Sequence, residues 1–226
     1  MRSGCRRPSR PDRLQPRVRL RPRGPGRRTP PGHGASCAQP APRDGPGAQI
    51  ITPVVGDVLD ADGLVELFRG CEAVVNATGS PEPGPAGRDV DRDGTAAVIR
   101  GMGTAGVRRL IHLSCMYAHR PADAPAAFAP VWAAKRNAEE AVKDSDLDWT
   151  IVRAGPLVDS GAAGQLSLAA HLDTLDPVSR EDIAAVIGSC IAIKETTGHD
   201  FDVTGGTTYL LTALDVVTGR RPRSTR

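Results

Sequence analysis

Residues 71–79, CEAVVNATG, place a short apolar, β-branched run ahead of Asn76 and then three small residues, Ala77, Thr78 and Gly79. Such a run reads as a short buried strand, here at 73–76, ending in a turn with little side-chain bulk. The same design recurs on either side. Residues 50–55 form an apolar run that leads into Gly56, Asp57 and Val58. Residues 108–113 are strand-like and stop at Ser114, and 149–152 lead into Arg153, Ala154, Gly155 and Pro156. A last short strand, 201–203, precedes Thr204, Gly205 and Gly206.

Helical periodicity fills the gaps. Asp60 is placed to cap a helix whose Leu64, Leu67 and Phe68 share one face, with Gly70 where a C-cap belongs. In 91–102, Thr95, Val98, Ile99 and Met102 recur at i, i+3, i+4 and i+7. Residues 131–143 are helical, and Ser179 with Asp182 forms a capping box ahead of Ile183, Val186, Ile187, Cys190 and Ile191. Apolar strands alternating with amphipathic helices predict an α/β fold with a doubly wound parallel sheet. Ligands of such sheets bind beyond the carboxyl ends of the strands, and here those ends are small or polar.

Charge divides the chain unevenly. Residues 1–48 hold twelve Arg and no Lys against two Asp, so they carry +10 of a total of +3 and leave the remainder at −7. The remainder thus shows no basic surface for nucleic acid, and its composition argues against a nucleic-acid partner. Ten Pro, seven Gly and few aliphatic residues predict that 1–48 is a disordered segment, followed by a domain over 49–219 and a basic tail at 220–226. Three readings of 1–48 stand: a basic arm, an inert extension, or GC-rich coding sequence translated out of phase or from a misassigned start. No apolar run reaches the ~18–20 residues of a membrane span, and no apolar stretch follows the basic start as in a secretory signal. Five scattered cysteines (Cys5, Cys37, Cys71, Cys115, Cys190) lack zinc-ligand spacing, so no metal site is expected; free thiols point to the cytoplasm.

Eight stretches together resemble the atypical short-chain dehydrogenase/reductase family, NAD(P)-binding Rossmann-fold proteins similar to NmrA-like regulators and NAD(P)H-binding oxidoreductases. They are VVGDVLD (54–60), CEAVVNATG (71–79), DVDRDGTAAVI (89–99), GVRRLIHLSCMYA (106–118), AAKRNAEEAV (133–142), LDWTIVRAGPL (147–157), VSREDIAAVI (178–187) and FDVTGG (201–206). The resemblance implies a cofactor, NADP or NAD, an unknown small-molecule substrate, and roles for particular positions. Asp57 would take the adenine amino group, with Val58 on the ring. Ala77, Thr78 and Gly79 would admit the adenosine ribose. Ser114 stands at the family's active-site Ser/Thr, Lys135 at the lysine that binds the nicotinamide ribose, and Gly155–Pro156 beside the nicotinamide. The residues themselves leave plainer readings open: Asp57 as a turn residue, Lys135 as a solvated helix lysine, and His112, Cys115 and Cys190 as core groups.

Two departures bear on activity. The family's catalytic Tyr, four residues before the Lys, is Val131 here, which cannot transfer a proton. Tyr117 is the candidate substitute. The strand, Gly-rich turn and helix that hold a pyrophosphate are absent; Arg23, Gly24, Pro25 and Gly26 have neither strand nor helix signals around them. The family spends about fifty residues on two βα units before GDVLD, the length of this segment, which favours the out-of-phase reading. The expectations are an NAD(P)-binding oxidoreductase-like protein with impaired cofactor binding, or alternatively a non-catalytic NAD(P)-sensing regulator of NmrA type. Loss of strands 1 and 2 from the order 3-2-1-4-5-6 would leave the 73–76 strand with an exposed apolar edge.

Overall fold

The computed structural model describes residues 54–79, 90–120 and 129–220. Helix α1 (Ala61–Phe68) starts where Asp60 Oδ1 accepts the Gly63 N–H at 3.1 Å, and it buries Leu64 and Phe68. Gly70 follows in the left-handed conformation at φ +78°, which a residue with a Cβ rarely adopts. Strand β1 is Ala73–Asn76. A π-helical turn, Val90–Gly94, then leads into α2 (Thr95–Ala105), where the periodicity predicts a continuous helix from 91. Close packing of Val58 accounts for glycine in this turn: a Cβ on Gly94 would lie 2.9 Å from Val58 Cγ1.

The sheet continues with β2 (Arg109–Cys115) and, after α3 (Ala129–Lys143), with β3 (Asp148–Ala154). Beyond these lie β4 (Leu157–Val158), β5 (Gln165–Ala169), β6 (Val178–Ser179), α4 (Arg180–Ala192), β7 (His199–Gly205), β8 (Thr208–Tyr209) and α5 (Leu210–Thr218). Six strands form the main sheet in the order β1-β2-β3-β7-β5-β8, with β4 and β6 pairing separately. Strands β1, β2, β3 and β7 are parallel, whereas β5 runs antiparallel to β7 and β8. One face packs α1, α2 and α3 around Met102, Leu110, Val142 and Ile151. The other packs α4 and α5 around Val152, Val186, Phe201 and Leu214. This is the predicted α/β Rossmann-like fold.

Three differences from the sequence expectation have physical causes. Val54 and Val55 are not in a strand, and Val55 is fully exposed; the rest of that expected strand, 50–53, lies outside the described residues. Among the described residues β1 is therefore the sheet edge, and Val75 on it is 40% exposed. Strand β5 falls in a span where the sequence predicts no strand or helix. It is held by Asp182, whose carboxylate accepts the N–H groups of Ala163 and Gly164, both at 2.9 Å, just ahead of the strand. The same carboxylate accepts the Ser179 hydroxyl at 2.8 Å, while Ser179 Oγ accepts the Asp182 N–H at 2.9 Å. The capping residues are as expected, but the second half of the box reaches a neighbouring loop instead of the Ser179 N–H.

A buried ion pair joins the layers. Arg153 on β3 is 1% exposed, and its Nε and Nη2 meet the Glu139 carboxylate of α3 at 2.8–3.0 Å. Asp200 on β7 closes on the same guanidinium. Burial alone would lower the Arg153 pKa, but hydrogen bonding and charge from Glu139, with Asp200, raise it. Removing one partner of such a pair strands a buried charge, which costs about 3–5 kcal/mol, whereas replacing both with apolar groups is far milder. Glu139→Ala should therefore lower the unfolding free energy in urea by about that amount, and adding Arg153→Met should recover most of the loss.

Candidate functional site

Strands β1, β2 and β3 end side by side because their parallel registers align Asn76 with His112 and Cys115 with Ala154. Their carboxyl ends open onto a cleft of about 310 Å³. Ala77, Thr78 and Gly79 form one wall, Ser114 and Cys115 follow from β2, Gly155 and Leu157 from the β3 end, and Lys135 reaches in from α3. The structure thus brings together six of the ten residues singled out in the sequence: Ala77, Thr78, Gly79, Ser114, Lys135 and Gly155.

Gly79 lies in close approach to two side chains. A Cβ there would sit 3.1 Å from Lys135 Nζ and 3.4 Å from Asp91 Oδ1. Lys135 Nζ donates to Asp91 Oδ1 at 3.0 Å, with Asp91 only 4% exposed, so a charged pair lies against the Gly79 backbone. Ser114 Oγ is buried and has no hydrogen-bond partner in the structure. A buried hydroxyl without a partner is costly, and in a cleft it marks a place for a polar ligand group. Gly155 is also tightly held: its N–H donates to the Val203 carbonyl at 2.8 Å, and a Cβ would meet Thr204 Cγ2 at 3.0 Å.

Polar groups under the cleft brace the β1 end. Asn76 Oδ1 accepts both the Thr78 N–H (3.2 Å) and the Thr78 hydroxyl (2.7 Å). The Asn76 amide donates to Thr95 Oγ1 and faces His112 Nδ1, each at 3.2 Å. His112 Nδ1 is then the acceptor, which places the imidazole proton on Nε2. Burial, with Lys135 nearby, pushes the His112 pKa down to about 3, so the ring is neutral. It is a satisfied core group, as the sequence reading held. Burial likewise pushes the Cys115 thiol up to about 11, leaving it protonated at neutral pH. Asn76 and Asp91 are the site residues that sequence reasoning missed; neither belongs to a motif that signals a ligand.

The other four positions lie elsewhere. Asp57 is exposed and makes a turn, its Oδ1 accepting the Leu59 N–H at 2.9 Å and its carbonyl the Asp60 N–H at 3.0 Å. Val58 packs over Gly94 beside the α1–α2 core. Pro156 is exposed, and its carbonyl accepts the Val178 N–H at 2.9 Å. Tyr117 has φ +66°, stacks on Trp132 with ring centroids 5.5 Å apart, and donates its hydroxyl to the Asp173 carbonyl at 3.3 Å. It is not among the residues that line the cleft. Val131 stands one helical turn before Lys135 on α3.

A parallel sheet with helices on both faces and a glycine-walled cleft at its strand ends defines a dinucleotide-binding α/β protein. The chain belongs to the NAD(P)H-binding family, whose sequence model matches residues 39–194. Its cofactor is accordingly a nicotinamide dinucleotide. The chain is 33% identical over 155 residues to the "Uncharacterized sugar epimerase YhfK" of Bacillus subtilis (strain 168), covering 67% of this chain and 71% of that protein. It is 29% identical over 188 residues to the (4-alkanoyl-5-oxo-2,5-dihydrofuran-3-yl)methyl phosphate reductase of Streptomyces griseus. That match takes in 78% of this chain but spans only 57% of the reductase. Among solved structures, a provisionally named NAD-dependent epimerase/dehydratase of Bacillus halodurans superposes with a TM-score of 0.68 at 29% identity, covering 73% of this chain and 77% of that one. A Veillonella parvula short-chain dehydrogenase/reductase in complex with NADP shares the fold, with a TM-score of 0.54 at 18% identity and coverage of 68% and 72%. No helix among the described residues is long and apolar enough to cross a membrane.

The buried neutral imidazole gives this site an acid sensitivity. With a folded pKa of about 3 against an ordinary 6.5, His112 takes up a proton more readily in the unfolded chain. Its contribution to stability is whole above pH 6.5 and is lost progressively as pH falls toward 3. Urea midpoints should fall through this window, and His112→Gln should make the fall shallower.

Proposed function

We propose that the chain binds the nicotinamide half of NAD or NADP in the cleft at the ends of β1, β2 and β3, as an oxidoreductase- or epimerase-like protein of the atypical short-chain dehydrogenase type. The observation that carries this reading is the unpartnered Ser114 hydroxyl facing a cleft where Lys135 lies against the Gly79 backbone. The residues fit the group: the missing Cβ at Gly79 lets Lys135 lie against the cleft wall, and Lys135 and Ser114 offer donors to ribose hydroxyls. Asp57 and Val58, at the adenine end, are proposed to serve the base. When bound, the dinucleotide supplies hydride transfer to or from a small-molecule substrate. Ser114 would orient a substrate oxygen, and Lys135 would hold positive charge beside it, shared with Asp91. The free thiols Cys71, Cys115 and Cys190 suit a reducing, cytoplasmic setting.

Binding is proposed to be weak, because the sequence of residues 1–48 shows no Gly-rich pyrophosphate fingerprint between strand and helix signals. Fluorescence titration of the full chain with NADPH and NADH should give dissociation constants on the order of 100 μM or weaker, and Lys135→Met should weaken the better of the two about tenfold. Micromolar binding would contradict the weakened affinity, and an unchanged constant in Lys135→Met would contradict the site.

A second reading, a non-catalytic NAD(P)-sensing regulator, is favoured by Val131. With Val131 in place of a tyrosine and the Tyr117 hydroxyl given to Asp173, the described residues lining the cleft include no phenol, and burial holds the Cys115 thiol protonated. Val131→Tyr would set a phenol one turn from Lys135. If the chain is a reductase scaffold that has lost its acid, this variant should turn over NADPH with a carbonyl panel at a rate well above wild type. A regulator lacking a substrate pocket should gain nothing.

A further inference from the structure

We propose that His119, His171 and Asp202 form a binding site for a divalent transition-metal ion, with Zn²⁺ as the best match, on the α3 side of the sheet and apart from the cleft. The three side chains come from the end of β2, from the segment after β5 and from β7, and one ligand atom from each lies within 4.8 Å of the other two. None of them lines the cleft. Two imidazole nitrogens and a carboxylate oxygen are the donor set of three-ligand zinc sites, which keep a further position open to water.

The orphaned atoms point to a ligand. Asp202 is fully buried, its Oδ2 accepts the Leu172 N–H at 2.9 Å, and its Oδ1 has no hydrogen-bond partner. Both ring nitrogens of His119 are buried and unpartnered, with Nδ1 4.0 Å from Asp202 Oδ1, too far for a hydrogen bond. His171 is exposed and stacks on His119 with centroids 4.6 Å apart, so its ring is free to turn toward a shared ion. Two histidine rings and a carboxylate gathered around unfilled lone pairs offer a cation its donor set.

Two arginines border the site. Arg153 Nη1, buried without a hydrogen-bond partner, lies 3.8 Å from Asp202 Oδ1, while its Nε and Nη2 are met by Glu139 and Asp200; Arg120 donates to Asp173 and to the Leu172 carbonyl beside His171, so a bound ion would replace Arg153 Nη1 as the charge facing Asp202 Oδ1. Metal binding would contract the triad, since ligand atoms sit about 2.0–2.2 Å from zinc. It would pin the segment after β5 to the sheet. The spacing of three isolated residues on remote segments explains why no sequence motif announces it.

The test is calorimetric titration of the metal-free full chain with Zn²⁺, together with Co²⁺ absorption as a ligand readout. Wild type should bind one ion and show a cobalt spectrum without thiolate charge transfer. The exposed His171→Ala variant, whose fold has no reason to change, should bind about a hundredfold more weakly, and zinc should raise the unfolding temperature of wild type but not of this variant. Lys135→Met, in the cleft, should bind zinc as wild type does. No binding by wild type, binding unaltered in His171→Ala, or a thiolate-bearing cobalt spectrum would each overturn the proposal.

Discussion

The Arg153–Glu139 ion pair is the constraint on which the arrangement depends. It is sealed between α3 and the middle of the sheet, at 1% and 3% side-chain exposure. Two charges taken out of water need hydrogen bonding in return, and the two-pronged contact supplies it at Nε and Nη2, while Nη1 faces Asp202 Oδ1 at 3.8 Å. The consequence reaches the cleft through helix geometry. Lys135 lies four residues before Glu139, so one turn of α3 carries the fixed position of the carboxylate to the lysine above it. Asp200 extends the anchor to β7 and on to Lys143, whose Nζ donates to it at 3.0 Å. Strand, helix and neighbouring strand are thereby set in one register.

Around that anchor, the charges at the cleft balance pairwise. Lys135 meets Asp91, and the neighbouring His112 is neutral, so the lysine adds positive potential without a competing cation. The Asn76 side chain ties this layer to the end of β1 through Thr78 and Thr95. The wall at 77–79 is therefore braced from beneath, although β1 is the outermost strand among the described residues. An edge strand with a half-exposed Val75 offers unpaired backbone groups, and the side-chain bracing offsets part of that lability.

Much of this was legible because burial and strand ends leave a local signature. The strand at 73–76 coincides with β1, and the caps at Asp60 and Ser179 fall as their side chains dictate. Of the ten site residues, the cleft gathers six, which lie at the ends of β1, β2 and β3 or on α3. What escaped was set by tertiary contacts. Strand β5 depends on Asp182 clipping Ala163 and Gly164, a contact invisible in its own five residues. The position of Tyr117 follows from a left-handed backbone and a stack on Trp132, neither encoded by spacing from Ser114. Asp91 was read only as the start of a helix, and the fold shows it paired with Lys135.

The central claim is that the cleft between β1, β2 and β3 receives the nicotinamide end of the cofactor. Backbone amide shifts of the isotope-labelled full chain, followed by NMR during titration with reduced nicotinamide mononucleotide, test it most directly. The account predicts saturable shifts that centre on Gly79, Ser114, Lys135 and Gly155. Shifts confined to other surfaces, or none at millimolar ligand, would contradict it.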